Sequence, residues 1–116
     1  MRMKTALALT LAAVALAAAG CGTASGREIP IEMTNYKLAP AMVEVKAGET
    51  VQFVLTNKSD AEHEYESDDG KFEEVLVPAG KTRKVAWTAP SKAGEYEFEC
   101  DMAGHDGMTM MIHVTN

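Results

Sequence analysis

Strict alternation of apolar and polar residues in several short segments constrains the fold more than any other feature. In residues 95–100, Tyr96, Phe98 and Cys100 alternate with glutamates, and residues 51–55 show the same pattern. Successive side chains of a β-strand point to opposite faces, so a period of two predicts half-buried strands. Because no segment shows sustained helical periodicity, the sequence predicts an all-β fold.

Turn-forming residues separate the alternating segments. Glycine, proline or aspartate occurs in residues 47–49, 68–70, 78–80 and 89–94, where each favours a tight turn. The predicted strands cover residues 28–34, 42–47, 50–56, 62–67, 72–77, 81–88, 94–100 and 109–115. Short strands at this spacing are typical of a β-sandwich or barrel, and a length of 116 residues suits one domain.

The first 20 residues do not share this pattern. Arg2 and Lys4 precede an uncharged, alanine-rich run over residues 5–19, and small residues stand just before Cys21. This order is typical of a secretory signal peptide, and the apolar run is short of the ~20 residues that span a bilayer. We therefore predict that residues 1–20 are a signal peptide and that the protein is exported. A membrane helix that is retained is the alternative.

Cys21 refines this prediction. Residues 16–21 resemble a bacterial lipobox, although Ala18 stands where a leucine is usual. The interpretation is that Cys21 is lipidated and that residues 21–27 form a flexible tether to a domain over residues 28–116. The protein would then be anchored in the periplasm or at the outer face of the cytoplasmic membrane. The alternative is that Cys21 marks the end of an ordinary signal peptide.

The charge of the processed chain limits its partners. Without Arg2 and Lys4, nine basic residues remain against 17 acidic ones, a net charge of −8. Nucleic acid binding depends on neutralising phosphates with lysine and arginine, so it is not expected. The acidic residues between 60 and 74 are either a solvated face or a docking patch for a basic redox partner. We expect a monomer.

The segment after Cys100 concentrates metal donors in one short loop. Cys100 ends an alternating strand on its inward face, His105 follows five residues later, and Met108 and Met110 come just beyond. Thiolates and thioethers are soft ligands and suit copper, as does imidazole. Two histidines, a cysteine and a weak axial methionine make up a blue-copper electron-transfer site. The loop therefore predicts three of the four ligands of one copper ion per chain.

His63 is the candidate for the second imidazole. In residues 62–66, glutamates alternate with His63 and Tyr65. In a β-strand this order puts His63 and Tyr65 on one face and the three glutamates on the other. Tyr65 is expected on the half-buried face, so His63 points inward with it. A lone histidine in a strand is more often a hydrogen-bonded core residue, but the Cys100 loop makes His63 the preferred ligand.

These motifs together resemble those of the cupredoxins. The resemblance extends over residues 28–116 and rests on residues 48–53, Asn57, residues 63–65 and residues 94–105, the last containing Cys-x₄-His. It implies a Greek-key β-sandwich of about eight strands with copper at one end. It also implies that the exposed loop histidine is the point where electrons enter.

The axial methionine is open between two positions. Many cupredoxins have four residues between the loop histidine and the axial methionine, which from His105 selects Met110. The Gly-Met step that usually marks this ligand instead ends at Met108. We favour Met108 and keep Met110 as the alternative. Met33 and Met42 are predicted to be packing residues.

The function predicted from these residues is one-electron transfer in the cell envelope, without substrate turnover. Three histidines are too few for a multicopper enzyme, and the loop lacks the second cysteine of a binuclear copper centre. Two alternatives remain. One is an envelope protein of copper tolerance that sequesters or delivers the metal. The other is a metal-free β-sandwich scaffold with a Cys21–Cys100 disulfide. A structural zinc site is less suited to the sulfur donors.

Overall fold

The computed structural model describes residues 26–116, which form two packed β-sheets and, within that range, no helix. The nine strands are β1 (Arg27–Thr34), β2 (Lys37–Ala39), β3 (Met42–Lys46), β4 (Thr50–Asn57), β5 (His63–Ser67), β6 (Val75–Val77), β7 (Thr82–Thr88), β8 (Gly94–Glu99) and β9 (Thr109–Thr115). The predicted all-β class is therefore confirmed.

The strand order identifies a sandwich with crossover connections. One sheet has the order β2-β1-β4-β7 and the other β3-β9-β8-β5-β6. β1 pairs with β4 and β3 with β9 in parallel, and the remaining pairs are antiparallel. Neighbours that are distant in sequence are expected for a Greek-key arrangement. The sandwich predicted from the sequence is therefore confirmed.

The strand prediction is wrong in two details. β2 was not predicted, because its three residues are too few to show a period. It pairs with β1 as a tight hairpin, with Met33 opposite Leu38. The strand predicted over residues 72–77 begins only at Val75. The residues before it instead belong to a loop, in which the Phe72 ring packs 6.0 Å from that of Phe53.

The core lies between the sheets and is centred on Phe53. Its ring lies 5.3 Å from that of Tyr65, 5.5 Å from Phe98 and 5.6 Å from Trp87. Phe53, Tyr65 and Phe98 are fully buried, as the period-two pattern predicted. Burying one such side chain stabilises the fold by roughly 1.5–3 kcal/mol, so this aromatic cluster joins the two sheets.

Two residues depart from the predicted inward and outward faces. Met33 is buried as expected, but Met42 is 57% exposed and is not a packing residue, because it begins the edge strand β3. Glu64, predicted on the solvated face, is buried. β6 covers it, with Leu76 directly opposite, and its carboxylate accepts a hydrogen bond from the backbone of Asp101.

Nothing in the part of the chain that the structure describes is a helix long and apolar enough to cross a membrane. The predicted signal peptide, the predicted lipidation at Cys21 and most of the tether lie outside the described residues. They stay predictions.

Candidate metal centre

Three donor side chains meet at one end of the sandwich. His63 begins β5, Cys100 directly follows β8, and His105 lies in the loop between β8 and β9. The two Nδ1 atoms of the histidines are 3.2 Å apart, and the Cys100 Sγ is 3.4 Å from the Nδ1 of His105. All three donor atoms lie within 4.8 Å of one another. Residues 42 positions apart in the chain thus share one small site.

His63 presents its Nδ1 to this site. The side chain is buried, and its other ring nitrogen, Nε2, lies 2.8 Å from the hydroxyl of Ser59. Burial lowers the pKa of His63, and the nearby His105 lowers it further. Both effects favour the neutral imidazole, which is the form that binds a metal.

Cys100 points inward, as the strand alternation predicted. It is 4% exposed and forms no disulfide within residues 26–116. The backbone N–H of Glu64 donates to its Sγ over 3.4 Å. Burial raises the pKa of the Cys100 thiol, although the N–H groups of Glu64 and Met102 act in the opposite direction. A bound cation would reverse this balance, because a coordinating thiol loses its proton.

Two consecutive tight turns fold the loop after Cys100. In the first, the N–H of His105 donates to the carbonyl of Met102, and Gly104 has a φ of 82°. In the second, the N–H of Met108 donates to the carbonyl of His105, and Gly107 has a φ of 79°. A positive φ at the third position is typical of type II turns and favours glycine. These turns bring His105 back over the end of β8.

The two candidate methionines have different surroundings. The carbonyl of Met108 accepts a hydrogen bond from the Cys100 N–H over 3.0 Å, so Met108 lies directly beside the cysteine, and its side chain is fully buried. The Met110 sulfur accepts a hydrogen bond from the Tyr65 hydroxyl over 3.4 Å. The Met110 sulfur is therefore engaged with an aromatic residue of the core.

His105 is the donor nearest the surface. It is partly exposed, and its ring meets that of Tyr36 edge-on, with centroids 5.1 Å apart. Tyr36 is 57% exposed. Its φ of 63° is uncommon for a residue other than glycine. This turn between β1 and β2 therefore places an aromatic ring at the rim of the site.

Sequence reasoning did not find Ser59 or Tyr36. Ser59 lies only four residues before His63 and two after Asn57. An Asn-x-Ser pattern is a signal for local side-chain hydrogen bonds, and this signal could have indicated the role of Ser59. Tyr36 carries no such signal, because its contact with His105 depends on how the distant β1–β2 turn packs against the loop.

The donor set fits copper. A cysteine sulfur, two imidazole nitrogens and a nearby thioether form a set of donors that favours copper over the other biological metals. The same set makes up a trigonal blue-copper site. Two other groups of carboxylates approach each other closely, Glu66 with Glu99 and Asp101, and Asp68 with Glu97 and Glu99. Those are oxygen donors at the surface and lack the sulfur and nitrogen of the first group.

The fold and the site define a β-sandwich protein with a buried Cys-His-His centre at one end. The family model for the cupredoxin-like domain matches residues 5–113. Because this match covers most of the chain, the protein belongs to the cupredoxin-like family. Family membership and the donor set together make it a copper-binding cupredoxin.

Three similar proteins illustrate the relationship. The copper-resistant cuproprotein CopI of Rubrivivax gelatinosus is 29% identical over 102 residues, covering 68% of this chain and 59% of that protein. The CopI of Pseudomonas aeruginosa is 26% identical over 139 residues, covering 78% and 76%. The structure of dithionite-reduced auracyanin from Roseiflexus castenholzii matches with a TM-score of 0.68 and 18% identity, covering 79% of this chain and 99% of auracyanin. The chain thus spans less than two thirds of the Rubrivivax protein, and auracyanin shares its fold.

Proposed function

We propose that the protein carries electrons one at a time through a single copper ion. The residues that would hold the ion are His63 and His105 through Nδ1 and Cys100 through Sγ, with the sulfur of Met108 as the weaker fourth donor. The observation that carries the proposal is the convergence of the first three atoms within 4.8 Å. Copper, when bound, supplies the one-electron couple.

The protein's own residues hold this geometry through burial and hydrogen bonds. His63, at the start of β5, and Cys100, directly after the paired strand β8, are both buried, and the Glu64 N–H donates to the cysteine sulfur. Hydrogen bonds to a ligand and the apolar shell around it tune a metal centre. A buried site whose donors are fixed by the sandwich would let the oxidation state change with little rearrangement. His105, partly exposed, is the route by which an electron enters or leaves.

The first experiment removes the thiolate. Cys100→Ser is expected to abolish the intense visible absorption of the Cu(II)-loaded protein, because that colour requires a copper–thiolate bond. The control is Cys21→Ser, which should keep the colour and the EPR spectrum of the wild type. A Cys100→Ser protein that stays intensely coloured would contradict the assignment. A thiol assay on the wild type tests the Cys21–Cys100 disulfide, which would leave no reactive thiol.

The methionine assignment follows from the surroundings of the two sulfurs. Met108 is buried next to Cys100, whereas the Met110 sulfur is held by the Tyr65 hydroxyl. This supports Met108 as the axial ligand. Its position directly after the second turn of the loop also matches the Gly-Met step in the sequence.

A copper-handling role is the second candidate. Two relatives are named copper-resistant cuproproteins, and such a protein could sequester or deliver the metal without a redox partner. The two functions differ in whether the protein exchanges electrons or copper ions rapidly. Rapid electron self-exchange with slow copper loss would support electron transfer, whereas ready surrender of Cu(I) to a competing chelator would support copper handling.

A basic redox partner is proposed from the charge of one sheet face. Glu66, Glu99 and Asp101 have carboxylate oxygens within 4.8 Å of one another, and Asp68 and Glu97 extend the group. Burial and neighbouring negative charges raise the pKa of Glu66 and of Glu99. Crowded carboxylates of this kind attract a cationic surface and chiefly affect the association rate.

The rate of electron exchange with a basic redox protein should therefore fall as ionic strength rises. The double variant Asp68→Asn/Glu97→Gln should weaken this salt dependence. Glu28→Gln/Glu32→Gln, on β1 of the other sheet, is the control and should leave it unchanged. Equal effects of the two double variants would argue against docking at the acidic face.

Export and lipid anchoring belong to the same proposal. A signal peptide over residues 1–20 would direct export of the chain. Lipidation at Cys21 would then anchor the domain in the periplasm or at the outer face of the cytoplasmic membrane. Mass spectrometry of the mature amino terminus tests both. Diacylglycerol on Cys21 is expected, and Cys21→Ala should release the protein from membranes. A mature chain without the lipid would contradict the proposed anchor while leaving the proposed export intact.

A further inference from the structure

A chain of hydrogen bonds leads from the buried Asn57 through the partly exposed Ser59 to the buried His63. Asn57 is the last residue of β4 and is 1% exposed, and Ser59 lies in the turn that follows. The Ser59 hydroxyl is 2.7 Å from the Asn57 Oδ1 and 2.8 Å from the His63 Nε2. The chain therefore ends on the ring nitrogen of His63 that faces away from the donor cluster.

The surroundings of Asn57 fix the orientation of its amide. The Nδ2 donates to two backbone carbonyls, that of Ala61 over 2.7 Å and that of Val77 over 2.9 Å. A flipped amide would put its oxygen against both carbonyls, because a carbonyl oxygen can only accept. The Oδ1 therefore faces Ser59, where it also accepts the backbone N–H of that residue.

This orientation determines the direction of the serine proton. A hydroxyl has one proton to donate, and the Ser59 oxygen lies 2.7 Å from the Asn57 Oδ1 and 3.0 Å from the Ala61 carbonyl. Both are pure acceptors, so the proton points to their side. One lone pair of the serine oxygen accepts the Ala61 N–H over 3.3 Å, which leaves the other for the His63 Nε2. The contact of 2.8 Å is therefore a hydrogen bond only if Nε2 carries the proton.

We propose that Asn57 and Ser59 are positioning residues that hold His63 in the Nε2–H tautomer, which leaves its Nδ1 lone pair directed at the copper site before any metal binds. The inference rests on the proposed function for the identity of the metal. The tautomer itself is a property of the chain without metal. A neutral histidine presents only one lone pair, so the partner of one ring nitrogen decides which nitrogen can coordinate.

The first test uses the metal-free protein. Long-range ¹H–¹⁵N correlation NMR distinguishes the two tautomers of a neutral histidine, and we expect His63 to be the Nε2–H form in the wild type. In Ser59→Ala the second tautomer should become populated. An Nδ1–H tautomer in the wild type, or a spectrum of His63 that Ser59→Ala leaves unchanged, would overturn the proposal.

The second test measures copper binding with Cu(I) and a competing chelator. Loss of a hydrogen-bond partner of a metal-binding histidine typically lowers metal affinity 10–100-fold, and we expect that range for Ser59→Ala. Ser59→Thr keeps a hydroxyl and should restore most of the affinity. Ser91→Ala, in the exposed β7–β8 loop, is the control. Wild-type affinity in Ser59→Ala would contradict the positioning role.

The variant is expected to keep its fold. Asn57 still accepts the backbone N–H of residue 59 and still donates to Ala61 and Val77. The variant loses the contacts of the hydroxyl with the backbone of Ala61, but Ala61 is exposed and water can replace them. The two tests also separate two failures. A wild type in the Nε2–H tautomer that binds no copper would refute the proposed function and leave the hydrogen-bond chain intact.

Discussion

At the scale of single residues, burial favours the neutral form of both the imidazole and the thiol donor. It lowers the pKa of His63 and raises the pKa of Cys100, so it disfavours the charged form of each. Burial therefore favours a neutral imidazole at His63 and a neutral thiol at Cys100. Binding a metal through Cys100 would require loss of the thiol proton, whereas a neutral imidazole at His63 is already the form that binds.

The two methionines give a prediction at this scale. Met108→Leu should shift the Cu(II) absorption spectrum and the reduction potential more than Met110→Leu does, because the Met110 sulfur already accepts the Tyr65 hydroxyl. Exchanges of this size usually cost less than about 1.5 kcal/mol, so both variants should fold. Spectroscopy and voltammetry on the two proteins decide the matter. The reverse ordering would move the axial role to Met110.

At the scale of structural elements, the β8–β9 loop is the part that is specialised for the site. Between Cys100 and Met108 it makes two tight turns, and each contains a glycine with positive φ, Gly104 and Gly107. Open space surrounds the position of a Cβ at either glycine. The glycines are therefore needed for backbone conformation alone, and this conformation sets where His105 and Met108 lie.

Gly107→Ala is therefore expected to destabilise the protein by roughly 1–2 kcal/mol, the usual cost of a left-handed conformation with a side chain, and to broaden or shift the copper spectrum. Gly70→Ala is the matched control, because Gly70 also has open space and a φ of 71° but lies in the β5–β6 loop. It should lose similar stability in urea unfolding and keep the wild-type spectrum. A normal spectrum for Gly107→Ala would mean that the loop relaxes without moving the ligands.

At the scale of the whole molecule, one charged contact ties the first strand to the rest of the sandwich. The Arg27 guanidinium donates to both carboxylate oxygens of Glu49 and to the Glu44 carbonyl, and the Lys46 N–H also donates to Glu49. The hydrogen bond from Arg27 and then that from Lys46 lower the pKa of Glu49. This contact joins β1 to the turn between β3 and β4.

Because the pKa of Glu49 is lower in the folded protein, its contribution is present above the unfolded pKa of about 4.3 and is lost as the pH falls through the folded value. Wild type should exceed Glu49→Gln in stability by about 0.5–1 kcal/mol at neutral pH, as is usual for a partly exposed pair. The difference should vanish in acid. Urea unfolding across this pH range measures it, with Glu73→Gln as the control. A difference that persists in acid would point to packing instead.

Local patterns predicted much of the fold and part of the site. The inward faces of β4, β5 and β8 follow from their alternation, and Phe53, His63 and Cys100 are buried as expected. β2 and the burial of Glu64 were not predictable in this way. A three-residue strand has no period, and Glu64 is buried by a neighbouring strand, β6, that local alternation does not describe.

The order of residues along the chain was enough to predict most of the strands, the turns between them and a loop that carries Cys100, His105 and Met108 together. Only the tertiary structure brought His63 to that loop. The antiparallel pairing of β5 with β8 sets Glu66 opposite Glu99, and continuing this register places the start of β5 beside the end of β8. Such pairing depends on long-range contacts, which a period of two cannot encode, because it specifies the face of a strand and not its neighbour.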